Sequence, residues 1–140
     1  MPASTAILAP VIALLIWTSV IWAWMYITRI PAIQKAGMQM DPQRPSGEQM
    51  SELPAQVRWK ADNYNHLHEQ PVVFYALAFY CVAAGTDDGV NVTLAWAYVA
   101  LRIAHSLYQS LVNFVPVRFV LFALSGFCLV GLAVRNLLAL

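Results

Sequence analysis

The chain has 140 residues, 60% of them hydrophobic and 11% charged, with a formal net charge of +1. That length suits one domain, and the charged share falls well below the soluble norm of about 25%. A near-neutral balance without a dense basic cluster excludes nucleic acid as a partner.

The first apolar run, residues 6–28, is broken only by Thr18, Ser19 and the final Thr28. At about 1.5 Å of rise per residue it can cross a hydrocarbon core of about 30 Å. No Lys or Arg precedes it and no small-residue cleavage site follows, so it reads as a membrane span and not as a cleaved signal. Trp17, Trp22, Trp24 and Tyr26 cluster toward its end, near Arg29, as an interfacial belt does. Pro31 predicts that this helix stops near Ile30.

Residues 31–53 are polar and rich in Pro, Gly and Gln, and read as a loop. A second helix is predicted over 54–84, amphipathic as far as Glu69 and apolar from Pro71, with a kink at the proline. The Gly85–Gly89 stretch, GTDDG, is a turn. A third helix follows over 90–114 and Pro116 ends it. The fourth covers 117–138, with Gly126 and Gly131 available for close packing. The predicted fold class is all-α: a single integral membrane four-helix bundle with up-down topology. Cys81 and Cys128 sit in apolar runs without metal-ligand spacing and read as free thiols.

Basic residues set the orientation. Arg29, Lys35, Arg44, Arg58 and Lys60 surround the first loop, and Arg118 follows the third helix. The second turn has two aspartates and no cation. The positive-inside rule therefore places the first and third connections in the cytoplasm and both termini outside.

Two polar stripes carry the functional reading. Steps of three and four residues put Arg58, Asp62, Asn65 or His66, and Glu69 on one side of the second helix. The third helix carries Tyr98, Arg102, His105, Gln109 and Asn113 in the same rhythm. Set antiparallel, the stripes pair Glu69 with Arg102, His66 with His105, Asp62 with Gln109 and Arg58 with Asn113. An unpaired charge at mid-membrane costs about 2.5–3.5 kcal/mol on insertion scales, so Glu69 and Arg102 require partners. Interhelical glue is the plain alternative, but such pairs stabilise bundles by only about 0.6 kcal/mol on average. Two matched stripes favour a polar ligand cavity. His66 and His68 point away from each other on a helix, so no metal site is expected. Arg118, at the start of the fourth helix, reads by position alone as a snorkelling membrane-edge arginine. It also stands where such a cavity would open, and a guanidinium there suits a thiolate.

The segments Leu101–Arg118, LRIAHSLYQSLVNFVPVR, and Asn65–Phe74, NHLHEQPVVF, resemble a known family. It is the membrane-associated proteins in eicosanoid and glutathione metabolism, the MAPEG family. Arg-x-x-His followed by Pro-x-Arg is similar to its microsomal prostaglandin E synthase branch. The resemblance spans nearly the whole chain. It implies a homotrimer, in the manner of a bacterial inner-membrane member, with glutathione as co-substrate bound between subunits. It implies that Arg118 is the catalytic residue that stabilises the glutathione thiolate, and that Glu69, Arg102 and His105 hold the tripeptide. Arg29, Arg58, Asp62, Asn65, His66 and Gln109 complete the expected binding set. The second substrate would be a lipophilic small molecule, an electrophile or peroxide, arriving among the membrane lipids.

The sequence departs from the family's pattern at several places. Asp62 stands where family enzymes carry Arg, His66 where they carry Asn, Phe119 where the prostaglandin branch has a hydroxyl, and Phe122 where it has a phenol. These departures keep a second function in view, a non-catalytic lipid-binding or scaffolding trimer. A small transporter or proton relay built on the buried charges is a third.

Overall fold

The computed structural model describes residues 5–140. Among them are five α-helices, a short 3-10 turn at Gln49–Glu52, and no strand. Helix α1 is Leu8–Lys35, α2 is Ala55–His66, α3 is Gln70–Ala84, α4 is Gly89–Leu111 and α5 is Val115–Leu138. Two of them, α1 and α5, are long and apolar enough to cross a membrane.

Three element boundaries differ from the sequence expectation. Helix α1 runs through the exposed Pro31 to Lys35, well beyond residue 28. The missing proline N–H orphans a carbonyl one turn earlier, and at this wet end of the helix water can satisfy it. The second pass is not one kinked helix over 54–84. It is broken at Leu67–Glu69, just ahead of Pro71, which becomes part of the first turn of α3. A proline ring clashes with the carbonyl four residues earlier, here that of Leu67, so the chain restarts the helix where proline is tolerated. Third, α4 stops at Leu111, and Asn113 takes a left-handed φ of 58°. Its N–H closes onto the Tyr108 carbonyl at 2.9 Å, turning the chain directly into α5.

The turns at the other end are fixed by side chains. Gly85 closes α3 with φ 65°, and the Thr86 N–H reaches the Cys81 carbonyl at 2.9 Å. Asp88 caps α4 by accepting the Asn91 N–H at 2.9 Å, and it accepts from Arg135 Nη2 of α5 at 2.8 Å. The Asn91 N–H, with Arg135 beside it, holds the Asp88 carboxyl below the usual carboxylate range. Buried Asn136 donates to the Leu132 carbonyl at 2.7 Å and to Cys81 Sγ at 3.3 Å, tying α5 to α3.

The core runs along the bundle axis through Leu14, Ile21, Phe74, Ala78, Tyr98, Val99 and Leu132, all nearly sealed from solvent. Phe74 of α3 stacks on Tyr98 of α4 with ring centroids 4.7 Å apart. The outer surface carries Ile12, Ile16, Ile27, Phe119, Phe127 and Leu138 in the open. So much exposed apolar surface suits lipid or a neighbouring subunit.

Candidate functional site

Polar residues fill the middle of the bundle where α2 crosses α4. Arg102, His105, Ser106, Gln109 and Ser110 of α4 are all buried, as is Asn63 of α2. Asn63 Nδ2 donates to Ser110 Oγ at 3.0 Å and also to Ser106 Oγ. Trp17 Nε1 of α1 donates to the same Ser106 oxygen at 2.8 Å. Three helices are thereby clipped together at one point.

One turn earlier in α4, Arg102 Nη2 donates to His66 Nδ1 at 2.8 Å. The His66 ring stacks on His105, with centroids 5.0 Å apart, and meets Phe122 of α5 edge-on at 5.5 Å. Arg102 also lies over the Phe122 ring, its guanidinium carbon 5.8 Å from the centroid. Arg102 is 0% exposed, yet among the described residues its Nε and Nη1 have no hydrogen-bond partner, and neither has His105 Nδ1. Buried donors without acceptors are costly, so the cluster carries unspent hydrogen-bonding capacity.

A half-open cavity of about 200 Å³ opens beside the cluster, lined by His66, His105, Val115, Arg118, Phe119 and Phe122. Arg118 stands in its wall, held by a bond from Nη1 to Asn113 Oδ1 at 2.6 Å, while its Nε is buried and has no bond among the described residues. The left-handed turn at Asn113 therefore both ends α4 and aims the arginine.

The expected pairs divide. His66 and His105 meet as the antiparallel register requires. Glu69 does not pair with Arg102: it is exposed, and the ion pairs among the described residues are Arg44–Glu48, Arg44–Glu52 and Arg135–Asp88. The break before Pro71 sets Glu69 at φ −94° and ψ −95°, which takes it off the helical stripe. Arg58 does not meet Asn113, because its Nε is bonded to the Leu53 carbonyl at 3.0 Å. Asp62 is exposed and does not meet the buried Gln109, since α2 turns Asn63 inward instead. Arg29, Arg58, Asp62 and Asn65 line a different cavity of about 400 Å³, between α1, the first loop and α2. The two cavities share no lining residue.

Asn63, Ser106, Ser110 and Gln70 escaped the sequence reading. Gln70 Oε1 accepts from the Tyr98 hydroxyl at 3.4 Å, taking a polar contact deep into the bundle. Ser106 and Ser110, four residues apart and adjoining His105 and Gln109, were the available signal: they widen the α4 stripe into a polar face.

A family model described as the MAPEG family matches residues 7–138. No curated protein and no solved structure matches the chain.

Proposed function

The chain belongs to the MAPEG family of membrane proteins, which includes glutathione-dependent transferases and peroxidases, and we infer that it is itself a membrane-embedded, thiol-dependent enzyme of this kind. Glutathione is the proposed thiol. The observation that carries the reading is the Arg118 cavity. An aimed guanidinium, with a buried Nε left over, faces a space walled otherwise by two histidines, two phenylalanines and a valine.

The residues fit such a thiol. A cation beside the sulfur favours thiolate over thiol, and the thiolate is the nucleophile. Arg118 supplies that charge. Arg102, buried behind Phe122 beside the cavity wall, adds positive charge that favours an anionic ligand such as glutathione. Glu69, exposed near the helix break, suits its ammonium. In transfer, the sulfur lone pair forms the new C–S bond and the leaving group departs with its electron pair. The apolar walls Val115, Phe119 and Phe122 suit a lipophilic acceptor coming from the bilayer.

About 200 Å³ is less than the usual range for ligand sites, about 300–1,000 Å³. The proposed homotrimer would lay a neighbouring copy over the open side and complete the volume between subunits. The proposed orientation places the Arg118 end of the bundle and the first loop in the cytoplasm of a bacterial cell, with both termini outside the inner membrane.

The test is ultraviolet difference absorbance of detergent-purified protein titrated with glutathione. A thiolate band is expected for the wild-type chain and not for Arg118→Ala. A lipid-binding scaffold, the second reading, gains support from the bare Phe119, 68% exposed at the mouth. It would show no band and no thiol-dependent turnover with any electrophile.

A further inference from the structure

We propose that His66 is a catalytic residue whose Nε2–H holds a departing alkoxide oxygen, a role that rests on the thiol reading of the Arg118 cavity and names the class of its lipophilic acceptor. Arg102 Nη2 and His66 Nδ1 lie 2.8 Å apart. A guanidinium has five N–H donors and no acceptor, so Nδ1 must be the accepting nitrogen. The hydrogen of the neutral ring is then on Nε2, because the bond made by one imidazole nitrogen decides the state of the other. The ring is held in place by its stack on His105 and its edge-on contact with Phe122. His66 is half-buried and lines the cavity, whereas His105 is only 1% exposed. Val115, Phe119 and Phe122 bring no polar side chain to the wall, and Arg118 is committed to the sulfur. The His66 Nε2–H is thus the second donor the cavity offers, in addition to the guanidinium.

Two groups of lipophilic electrophile shed an alkoxide under thiolate attack. With a hydroperoxide, the sulfur lone pair forms an S–O bond to the terminal oxygen and the O–O bond breaks. With an epoxide, it forms a C–S bond and the ring C–O bond breaks. In both, the electron pair of the broken bond ends on oxygen, and negative charge moves from sulfur to that oxygen. A fixed N–H donor stabilises charge where it develops. The alkoxide then takes a proton from water, which balances the proton released when the thiol ionised. The imidazole stays neutral throughout, so Arg102 keeps its acceptor. After hydroperoxide attack, the sulfenic acid on the first glutathione condenses with a second glutathione to give the disulfide and water. A halide leaving group takes no proton and accepts hydrogen bonds weakly, so it leaves the His66 donor unused.

The experiment compares leaving groups in the full chain in detergent, with glutathione and with cumene hydroperoxide, styrene oxide or 4-nitrobenzyl chloride. The wild-type chain should turn over at least one of the two oxygen substrates, and which one names the source of the alkoxide. His66→Phe keeps a ring between His105 and Phe122 and removes the donor. Its kcat should fall about a hundredfold with the oxygen substrate, the scale for losing one such donor, and by less than about tenfold with the chloride. His66→Gln, which keeps an N–H at similar reach, should recover most of the loss. Equal losses with oxygen and chloride substrates, or a Gln variant no better than Phe, overturn the proposal. Nitrogen-15 NMR of histidine-labelled wild-type chain reads the tautomer without any substitution: His66 should carry its hydrogen on Nε2, and a hydrogen on Nδ1 overturns the proposal. The thiolate band, followed in the same samples, separates the two levels of failure. No band in the wild-type chain sinks the thiol reading itself. A band without turnover of either oxygen substrate, or without discrimination between leaving groups in His66→Phe, sinks the role of His66 alone.

Discussion

The buried guanidinium of Arg102 is partnered by the imidazole of His66, Nη2 to Nδ1 at 2.8 Å, and not by the carboxylate of Glu69. A neutral ring holds one nitrogen of the cation and leaves two others free. An ion pair would have neutralised the charge within the protein. The arrangement instead leaves the charge of Arg102 without a carboxylate partner among the described residues.

His66→Leu should therefore destabilise the protein by about 2–3 kcal/mol, since it leaves a buried charged donor without its acceptor. Glu69→Gln should change stability by less than about 0.5 kcal/mol, as substitutions at exposed positions do. Equilibrium unfolding in detergent checks both. The reverse order would mean that Glu69 is the true partner.

Asn63 clips α2 to α4 through Ser106 and Ser110, and Ser106 in turn holds Trp17 of α1. Asn63→Ala should cost about 1–2 kcal/mol, near the upper end for polar contacts between membrane helices. Ser106→Ala should also alter the emission of Trp17, read as the difference from a Trp17→Phe background. Unchanged emission would place that indole elsewhere.

Asn113 has two duties that two substitutions separate. Asn113→Gly keeps the left-handed turn and removes the Arg118 acceptor, so stability should hold while glutathione-thiolate absorbance falls. Asn113→Ala loses the same acceptor and adds a left-handed strain of about 1–2 kcal/mol. Melting temperature and absorbance, measured on both variants, distinguish the duties.

The Asp88 cap should be sensitive to acid. Its carboxyl is held below the usual range, first by the Asn91 N–H and then by Arg135. A carboxyl depressed in the folded state stabilises fully above its unfolded pKa of about 3.9. That contribution is lost as pH falls through the lower folded value. The melting-temperature gap between the wild-type chain and Asp88→Asn should be constant above about pH 5 and shrink below about pH 4. A gap independent of pH would contradict the cap.

The sequence pattern carried the register of the bundle but not the rotation of each residue about it. Antiparallel alignment of α2 with α4 brings His66 to His105 because both lie in regular helix. The same alignment fails for Glu69, since counting by threes and fours presumes an unbroken helix, and Pro71 interrupts it at Leu67–Glu69. Asp62 looked like the inward residue because it is charged and falls in step with Glu69. Asn63 takes the inward place, where its amide finds two hydroxyls that periodicity alone does not reveal. Arg118 was visible through the Pro-x-Arg pattern. Its anchorage by Asn113 was not, because that depends on a left-handed backbone turn at a residue other than glycine.

The central claim is that Arg118 holds a thiolate at the mouth of the His66–His105 cavity. The most direct measurement is ultraviolet difference titration of glutathione against the wild-type chain, Arg118→Ala and Arg118→Lys, each confirmed as folded by its melting temperature. The account predicts a saturable thiolate band for the wild-type chain, a weaker one for Arg118→Lys, and none for Arg118→Ala. A band of equal size in Arg118→Ala, or glutathione that binds the wild-type chain without ionising, would contradict it.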